Sequence, residues 1–360
     1  MDQNTSTTSS EAPKQRASLW RNLLKYGIPL VITVGLCWLL FTGFDFKEMV
    51  AIIRRDCNFW WIGGALVVSI FSHIFRAMRW GIQLRALGIR PPLFYLVLSI
   101  FGTYAVNLVF PRLGELWRTG YIAARQDAPF TTVFGSMVAD RLADTVTVAL
   151  LTLFTFLIAG NEIMSYLVQN QATYERIVGT LTNPWLWGAC VAAVVVVWWA
   201  LVHWRESKPV KKLRGLWDGL WSGFAVIAKM PGRGRWLLLT VGVWGCYFFQ
   251  LYLAFFAFPV TAEVAVKCGI VAVLVCFVLS SISMGVPSNG GIGPWQWSII
   301  FGLSLYASQV SGLTPSYAAS FANLVLGSQT LLLIVLGIFT FICIAIDKKR
   351  TRKQLDHATH

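Results

Sequence analysis

The chain has 360 residues, of which 56% are hydrophobic and only 13% charged, with a mean hydropathy of +0.62. A soluble domain carries about 25% charged residues, so a soluble globular protein is excluded. The formal charge of +14 does not point to nucleic acid, because the basic residues sit in short segments flanking apolar runs. That is the positive-inside pattern of a membrane protein, and anionic lipid headgroups are the expected partners.

Taken in order, residues 1–18 are polar and rich in Ser and Thr, the composition of a disordered tail. Apolar segments follow at 23–42, 59–77, 93–110, 133–159, 185–203, 236–259, 265–286, 295–310 and 318–346. Runs of this kind reach across a hydrocarbon core of roughly 30 Å. The first is too long, and too poor in small residues for cleavage, to be a secretory signal peptide. Seven cysteines (Cys37, Cys57, Cys190, Cys246, Cys268, Cys276, Cys343) are scattered without a CxxC or Cys/His spacing. His73, His203, His357 and His360 are equally dispersed. No disulfide framework, metal site or cofactor is expected.

Lys and Arg near the segment ends set the orientation. Basic clusters stand at Lys14 to Lys25, at Arg76, Arg79, Arg85 and Arg90, between positions 205 and 235, and from Lys348 to Lys353. The stretch 160–184 holds only Arg176 against Glu162 and Glu175. The four basic clusters and both termini therefore belong in the cytoplasm, and 160–184 outside. An odd number of crossings must separate 76–90 from 160–184, yet two apolar segments lie between them. The first of these ends in Asn107, Pro111 and Gly114, so 93–122 is assigned as a re-entrant hairpin. Later, 265–286 and 295–310 together cross an even number of times. They form either two spans or a second hairpin broken between Pro287 and Pro294.

The fold class is all-α and polytopic, with about six full spans plus two re-entrant hairpins; the alternative is eight spans plus one hairpin. In the six-span arrangement the halves 19–160 and 185–347 make an inverted pseudo-repeat, a recurring transporter architecture. A basic tail, 348–360, follows this transmembrane domain. Leu213, Leu216, Trp217, Leu220, Trp221, Phe224 and Ile227 follow helical spacing. They predict an amphipathic helix at about 211–230 on the cytoplasmic leaflet. Residues 44–55 are expected to lie similarly on the outer side.

Three polar stretches stand out. The first holds Asn107, Pro111, Arg112, Gly114, Glu115 and Arg118. Proline breaks the helix, and the three-residue spacing of Arg112, Glu115 and Arg118 puts them on one broad helical face. Guanidinium matches phosphate with two hydrogen bonds, so these arginines are candidate phosphate ligands; the alternative is an ordinary loop with a local ion pair. The second is Asp140, Arg141 and Asp144 inside an apolar run, where ionisable groups cost several kcal/mol unless paired. Arg141 is in reach of Asp144, and the cluster is either a structural ion group or a counter-ion beside a cavity. The third is the turn with Pro287, Ser288, Asn289, Gly290, Gly291, Gly293 and Pro294, ahead of Gln296. Ser288 and Asn289 are cap candidates, and free N–H groups there would form an anion-binding nest; a plain interhelical turn is the alternative.

Together with Arg76 and Arg79 at the end of the second segment, these stretches resemble the flippase-like membrane family named for the transmembrane region of lysylphosphatidylglycerol synthase. The resemblance runs from about Trp20 to Ile346. It implies a lipid or lipid-linked substrate translocated between leaflets, in a prokaryotic cytoplasmic membrane. The chain departs from the family pattern at three places. Pro111 and Arg112 are adjacent where many members insert a residue, Asp140 stands where many have Glu, and Gln296 replaces a Glu that proton coupling would use. With the chain ending at His360, the soluble aminoacyl-transferring domain of the full synthase is not expected.

The expected function is binding or flipping of an anionic lipid or lipid-linked headgroup, with no catalytic residue. Asn107, Arg112, Glu115, Arg118, Asp140, Arg141, Asp144, Asn289, Gly290, Gly291 and Gly293 are the expected substrate-binding residues, and Arg76 and Arg79 the additional headgroup contacts. Two other classes compete. One is a membrane-embedded transferase on a polyprenyl-phosphate lipid; the other is a non-transporting subunit working with lipid or glycan biosynthesis partners.

Overall fold

A computed structural model describes residues 46–110, 112–160, 182–203, 230–286, 288 and 290–358, with isolated positions between 164 and 179. The expected first span, the tail 1–18, most of the 211–230 helix, Pro111, Pro287 and Asn289 lie outside the described residues.

Among the described residues the chain is all helical. The helices are α1 (Phe46–Asp56), α2 (Phe59–Ala86), α3 (Leu93–Val109), α4 (Leu113–Arg125), α5 (Phe130–Ile158) and α6 (Pro184–His203). They continue as α7 (Arg233–Phe255), α8 (Pro259–Lys267), α9 (Gly269–Ser283), α10 (Pro294–Ser304) and α11 (Pro315–Ala358). Helices α2, α5, α7 and α11 are long and apolar enough to cross a membrane, and the bent pair α8 and α9 makes a fifth if counted as one. The protein is a multi-pass membrane protein.

Local chemistry sets the boundaries. The Asn58 side chain accepts the Trp60 N–H at 3.1 Å and caps the start of α2. That helix runs nine residues past the apolar segment read from hydropathy, to Ala86. It stops where Gly88 takes φ +81 and the Ile89 N–H turns back to Leu84 O. Arg76, Arg79 and Arg85, read from the sequence as a basic flank at the end of the second segment, therefore sit within the helix, which is a correction. A second correction lies at 236–267: the span ends at Phe255, and α8 is a separate helix, begun by Pro259 and bent 113° from α9. In the expected interfacial segment 44–55, the described residues from Phe46 onward belong to α1, which buries Met49 and Ile52.

Side-chain pairs give the relative directions. Arg76 meets Asp144 and Trp80 meets Ser136, so α2 and α5 are antiparallel. Phe75 meets Gly242 and Gly64 meets Leu253, so α7 also opposes α2. Between α2 and α5, α3 and α4 fold back on each other: Thr103 faces Gly114, Gly102 faces Trp117, and Tyr95 lies under Arg125. At 1.5 Å per residue these arms are about 26 and 20 Å long, shorter than a hydrocarbon core. Helices α9 and α10 make a second short antiparallel pair, with Gly302 against Cys276 Sγ so closely that a Cβ would stand 2.8 Å from it. Small residues at such contacts let membrane helices approach.

Two cores result. One joins α7 to α11 around Phe255, Phe258, Val273, Ile299 and Phe321. The other joins α2 to α5 around Trp80, Leu84, Ile100, Ile122 and Met137. The outward faces carry Leu150, Leu153 and Leu157 on α5, Leu237, Leu238 and Val241 on α7, and Leu331, Ile338 and Ile342 on α11, all exposed. Acyl chains solvate such a belt at no hydrophobic cost.

Candidate functional site

Five charged side chains meet where α2, α4 and α5 converge. Arg76 and Arg79 lie one turn apart on α2, Asp140 and Asp144 one turn apart on α5, and Arg118 comes from the second arm of the first hairpin. Arg79 Nη2 stands 2.7 Å from Asp140 Oδ1 and 2.8 Å from Asp144 Oδ1. Arg76 Nη2 is 2.8 Å from Asp144 Oδ2, and Arg118 Nη2 is 3.6 Å from Asp140 Oδ2. None of the five residues is more than 7% exposed. Each guanidinium also has an aromatic neighbour. Arg118 lies 4.6 Å from the Trp80 ring centroid, Arg79 5.7 Å from Trp236, and Arg76 5.9 Å from Tyr247. Trp80 is itself fixed by its Nε1–H donating to Ser136 Oγ at 3.0 Å.

Charge and hydrogen bonding are both unfinished in this cluster. Three guanidiniums against two carboxylates leave one positive charge. Of the ion pairs, only Arg79 to Asp144 is aligned as a hydrogen bond. Nε and Nη1 of Arg76, the same atoms of Arg79, and Nε and Nη2 of Arg118 are buried without a hydrogen-bond acceptor among the described residues. Removing an ion from water costs several kcal/mol even after relaxation, and unfilled charged donors add to that. Both carboxylate oxygens of Asp140 and Oδ2 of Asp144 are likewise buried without an aligned hydrogen-bond donor among the described residues.

The neighbouring residues have structural duties. Asn107 Oδ1 accepts the Gly114 N–H at 2.8 Å, taking up a donor that the start of α4 would leave open. Its Nδ2 approaches Glu115 Oε2 at 3.3 Å, and Glu115 is ion-paired with Arg141. Arg141, in reach of Asp144 by helical spacing, takes Glu115, and Asp144 takes Arg76 and Arg79 from α2. Arg112 does not share the buried face of Arg118. It stands at φ +63 in the turn, and its Nη2 donates to Gly285 O at 2.8 Å. That bond joins the tips of the two hairpins, and Leu108 packs beside Gly290 at the same junction. Arg76 and Arg79, expected as additional contacts to the substrate headgroup, are buried members of the cluster.

The glycine-rich turn also differs from the expected nest. Gly290, Gly291 and Gly293 have φ of +62, +87 and +96, as a glycine turn requires. The Gly293 N–H is already taken by Gln296 Oε1 at 2.8 Å. Gly290 and Gly291 pack against Leu108 and Met284. Gln296 then donates through Nε2 to Asn323 on α11, so α10 is capped by the side chain of its own third residue and not by Ser288, whose hydroxyl reaches only Val286 O. Gln296→Leu is expected to destabilise the protein by about 2 kcal/mol, because it strands the Gly293 N–H and the Asn323 amide. Gln296→Glu keeps an oxygen for Gly293 and lets the Asn323 amide turn, so its loss is smaller. Thermal unfolding of detergent-solubilised protein compares the two.

Sequence reasoning missed Trp80, His73, Gln83 and Gln329. Their signal was present: Ser69, Ser72, His73, Arg76, Arg79 and Gln83 recur at three- and four-residue steps and are buried on one face of α2. Ser69 Oγ donates to Gln329 Oε1 at 2.9 Å. Among the described residues no three His, Cys, Asp or Glu side chains are placed to hold a metal ion.

The family model described as the lysylphosphatidylglycerol synthase transmembrane region matches residues 27–337. Glycosyltransferase AglD of Haloferax volcanii is 31% identical over 121 residues, which are 33% of this chain and 19% of that protein. The matched stretch is thus about a fifth of the relative's length. No solved structure matches.

Proposed function

Because the chain belongs to the family of the lysylphosphatidylglycerol synthase transmembrane region, we propose that it binds a lipid bearing a phosphate monoanion and moves its headgroup between leaflets. The observation that carries this reading is the single uncompensated positive charge of the buried Arg76, Arg79, Arg118, Asp140 and Asp144 cluster. One phosphodiester neutralises it and offers oxygens to the unfilled guanidinium N–H groups, with the planar geometry arginine favours. Acyl or polyprenyl chains stay in the bilayer along the apolar outer belt. In this reading the short pairs α3/α4 and α9/α10 are re-entrant hairpins entering from opposite faces of an inverted repeat in a prokaryotic cytoplasmic membrane, with both termini in the cytoplasm. The chain acts without catalysis: Asp140, Asp144 and Glu115 are all held by arginines, which leaves none of them placed as a general base.

A second reading, a non-transporting component of a glycan assembly system, is favoured by the similarity to a glycosyltransferase. Native mass spectrometry of the purified protein separates lipid binding from its absence, and a translocation assay in proteoliposomes separates transport from binding alone. Arg118→Gln leaves two arginines facing two aspartates. Stability is therefore expected to change by no more than about 1 kcal/mol, since the remaining pairs balance, while the bound lipid signal falls at least ten-fold. Retention of the lipid by this variant would sink the site assignment.

A further inference from the structure

The cluster is the middle of a longer file of unfilled polar groups on the inner face of the α2 and α7 pair. On α2, Gln83 is 2% exposed and His73 5%, and neither the Gln83 amide nor either His73 ring nitrogen has a hydrogen-bond partner among the described residues. On α7, the buried Nε1–H groups of Trp236 and Trp244 are likewise unpartnered. The antiparallel register, with Phe75 against Gly242, sets Trp244 at the level of His73, and Arg79 lies over Trp236. From Gln83 to His73 is ten residues, or about 15 Å along the helix axis, roughly half of a hydrocarbon core of about 30 Å. Buried polar groups in a membrane protein are ordinarily paired, because each unsatisfied one costs free energy. His73 meets the rings of Phe101 and Tyr104, and Trp244 those of Tyr247 and Phe277, but these ring contacts leave the nitrogens without hydrogen-bond partners, in a row at one-turn intervals that crosses the charged cluster.

We propose that this seam is the path of the headgroup. Gln83 and Trp236 form one end, Arg79 and Arg76 the central station, and His73 and Trp244 the other end. A phosphodiester moving along it exchanges donors one turn at a time. It keeps two or more hydrogen bonds at each step, so it never stands bare in hydrocarbon. The inference rests on the lipid-translocation reading above, but it assigns residues outside the binding cluster and makes a separate demand on them. They govern rate and not occupancy.

The test uses the full chain in phosphatidylethanolamine vesicles, with chain-labelled phosphatidylglycerol as the probe and chemical quenching of the outer leaflet as the readout. His73→Leu combined with Trp244→Phe is expected to slow translocation at least ten-fold, while native mass spectrometry shows the same bound lipid as in the wild type. Gln83→Leu, at the other end of the file, is expected to act in the same direction. Wild-type rates in both variants would overturn the path, and so would loss of bound lipid in step with rate, which would make these residues part of the binding site. A wild-type protein that moves no probe also overturns it. The Arg118→Gln measurement decides the parent reading independently, since it asks only whether the lipid stays bound.

Discussion

Asp140→Ala is expected to lower stability by about 3–5 kcal/mol, the cost of stripping a buried ion pair of one partner. Asp140 is fully buried between Arg79 at 2.7 Å and Arg118 at 3.6 Å. Without it, three guanidiniums face Asp144 alone, and the cluster carries an excess of two positive charges where solvent cannot screen them. Detergent-solubilised protein is therefore expected to unfold at a markedly lower temperature, with reduced yield from membranes. The double variant Asp140→Ala, Arg118→Leu removes one charge of each sign and restores an excess of one. It is expected to recover much of the loss, so the two substitutions couple strongly in a double-mutant cycle. Additive effects would show that Arg118 is held by something other than Asp140. The recovered variant is still expected to lack bound lipid, which separates the folding role of the cluster from its binding role.

Gly114→Ala is expected to cost about 3 kcal/mol, at the upper end of ordinary overpacking. A Cβ there would overlap the carbonyl oxygen of Thr103 and stand 2.8 Å from Asn107 Oδ1. The first of these is backbone and cannot rotate away. The arms of the first hairpin must separate, and the Asn107 bond to the Gly114 N–H is lost with them. Arg118 lies one turn further along α4, so the same displacement withdraws it from Asp140. Lipid occupancy is expected to fall together with melting temperature, in contrast to Arg118→Gln, where occupancy falls alone. A Gly114→Ala protein with wild-type stability would show that the arms are not in close contact at this point.

These two results bear on how the site is assembled. The hairpin tip carries Arg112 into contact with Gly285 of the second hairpin, and the α4 arm carries Arg118 to α5. Movement of the first hairpin therefore changes both the junction of the tips and the charge balance of the cluster. In the proposed function, this mechanical link is how the headgroup station would change access.

Composition and hydropathy were sufficient for the membrane-embedded, all-helical class, because burying apolar runs of this length in lipid depends on local sequence alone. The broken segments were also legible. The Gly290 to Gly293 turn interrupts the chain through its own backbone preference, at positive φ, and the first break, beside the expected Pro111 turn, falls at Arg112 with φ +63; the short arms lie on either side of each. Family membership followed from the same motifs. What the sequence could not show was which charge meets which. Counting arginines near an apolar end treats Arg76 and Arg79 as solvated flanks, yet α2 continues to Ala86 and carries both inward. The reason is that Asp140 and Asp144 on α5, more than 60 residues away, offset their desolvation. Arg141 illustrates the converse, being within helical reach of Asp144 but drawn to Glu115 on the hairpin. Pairing over such separations depends on the packing of α2, α4 and α5. Only the tertiary structure decides it.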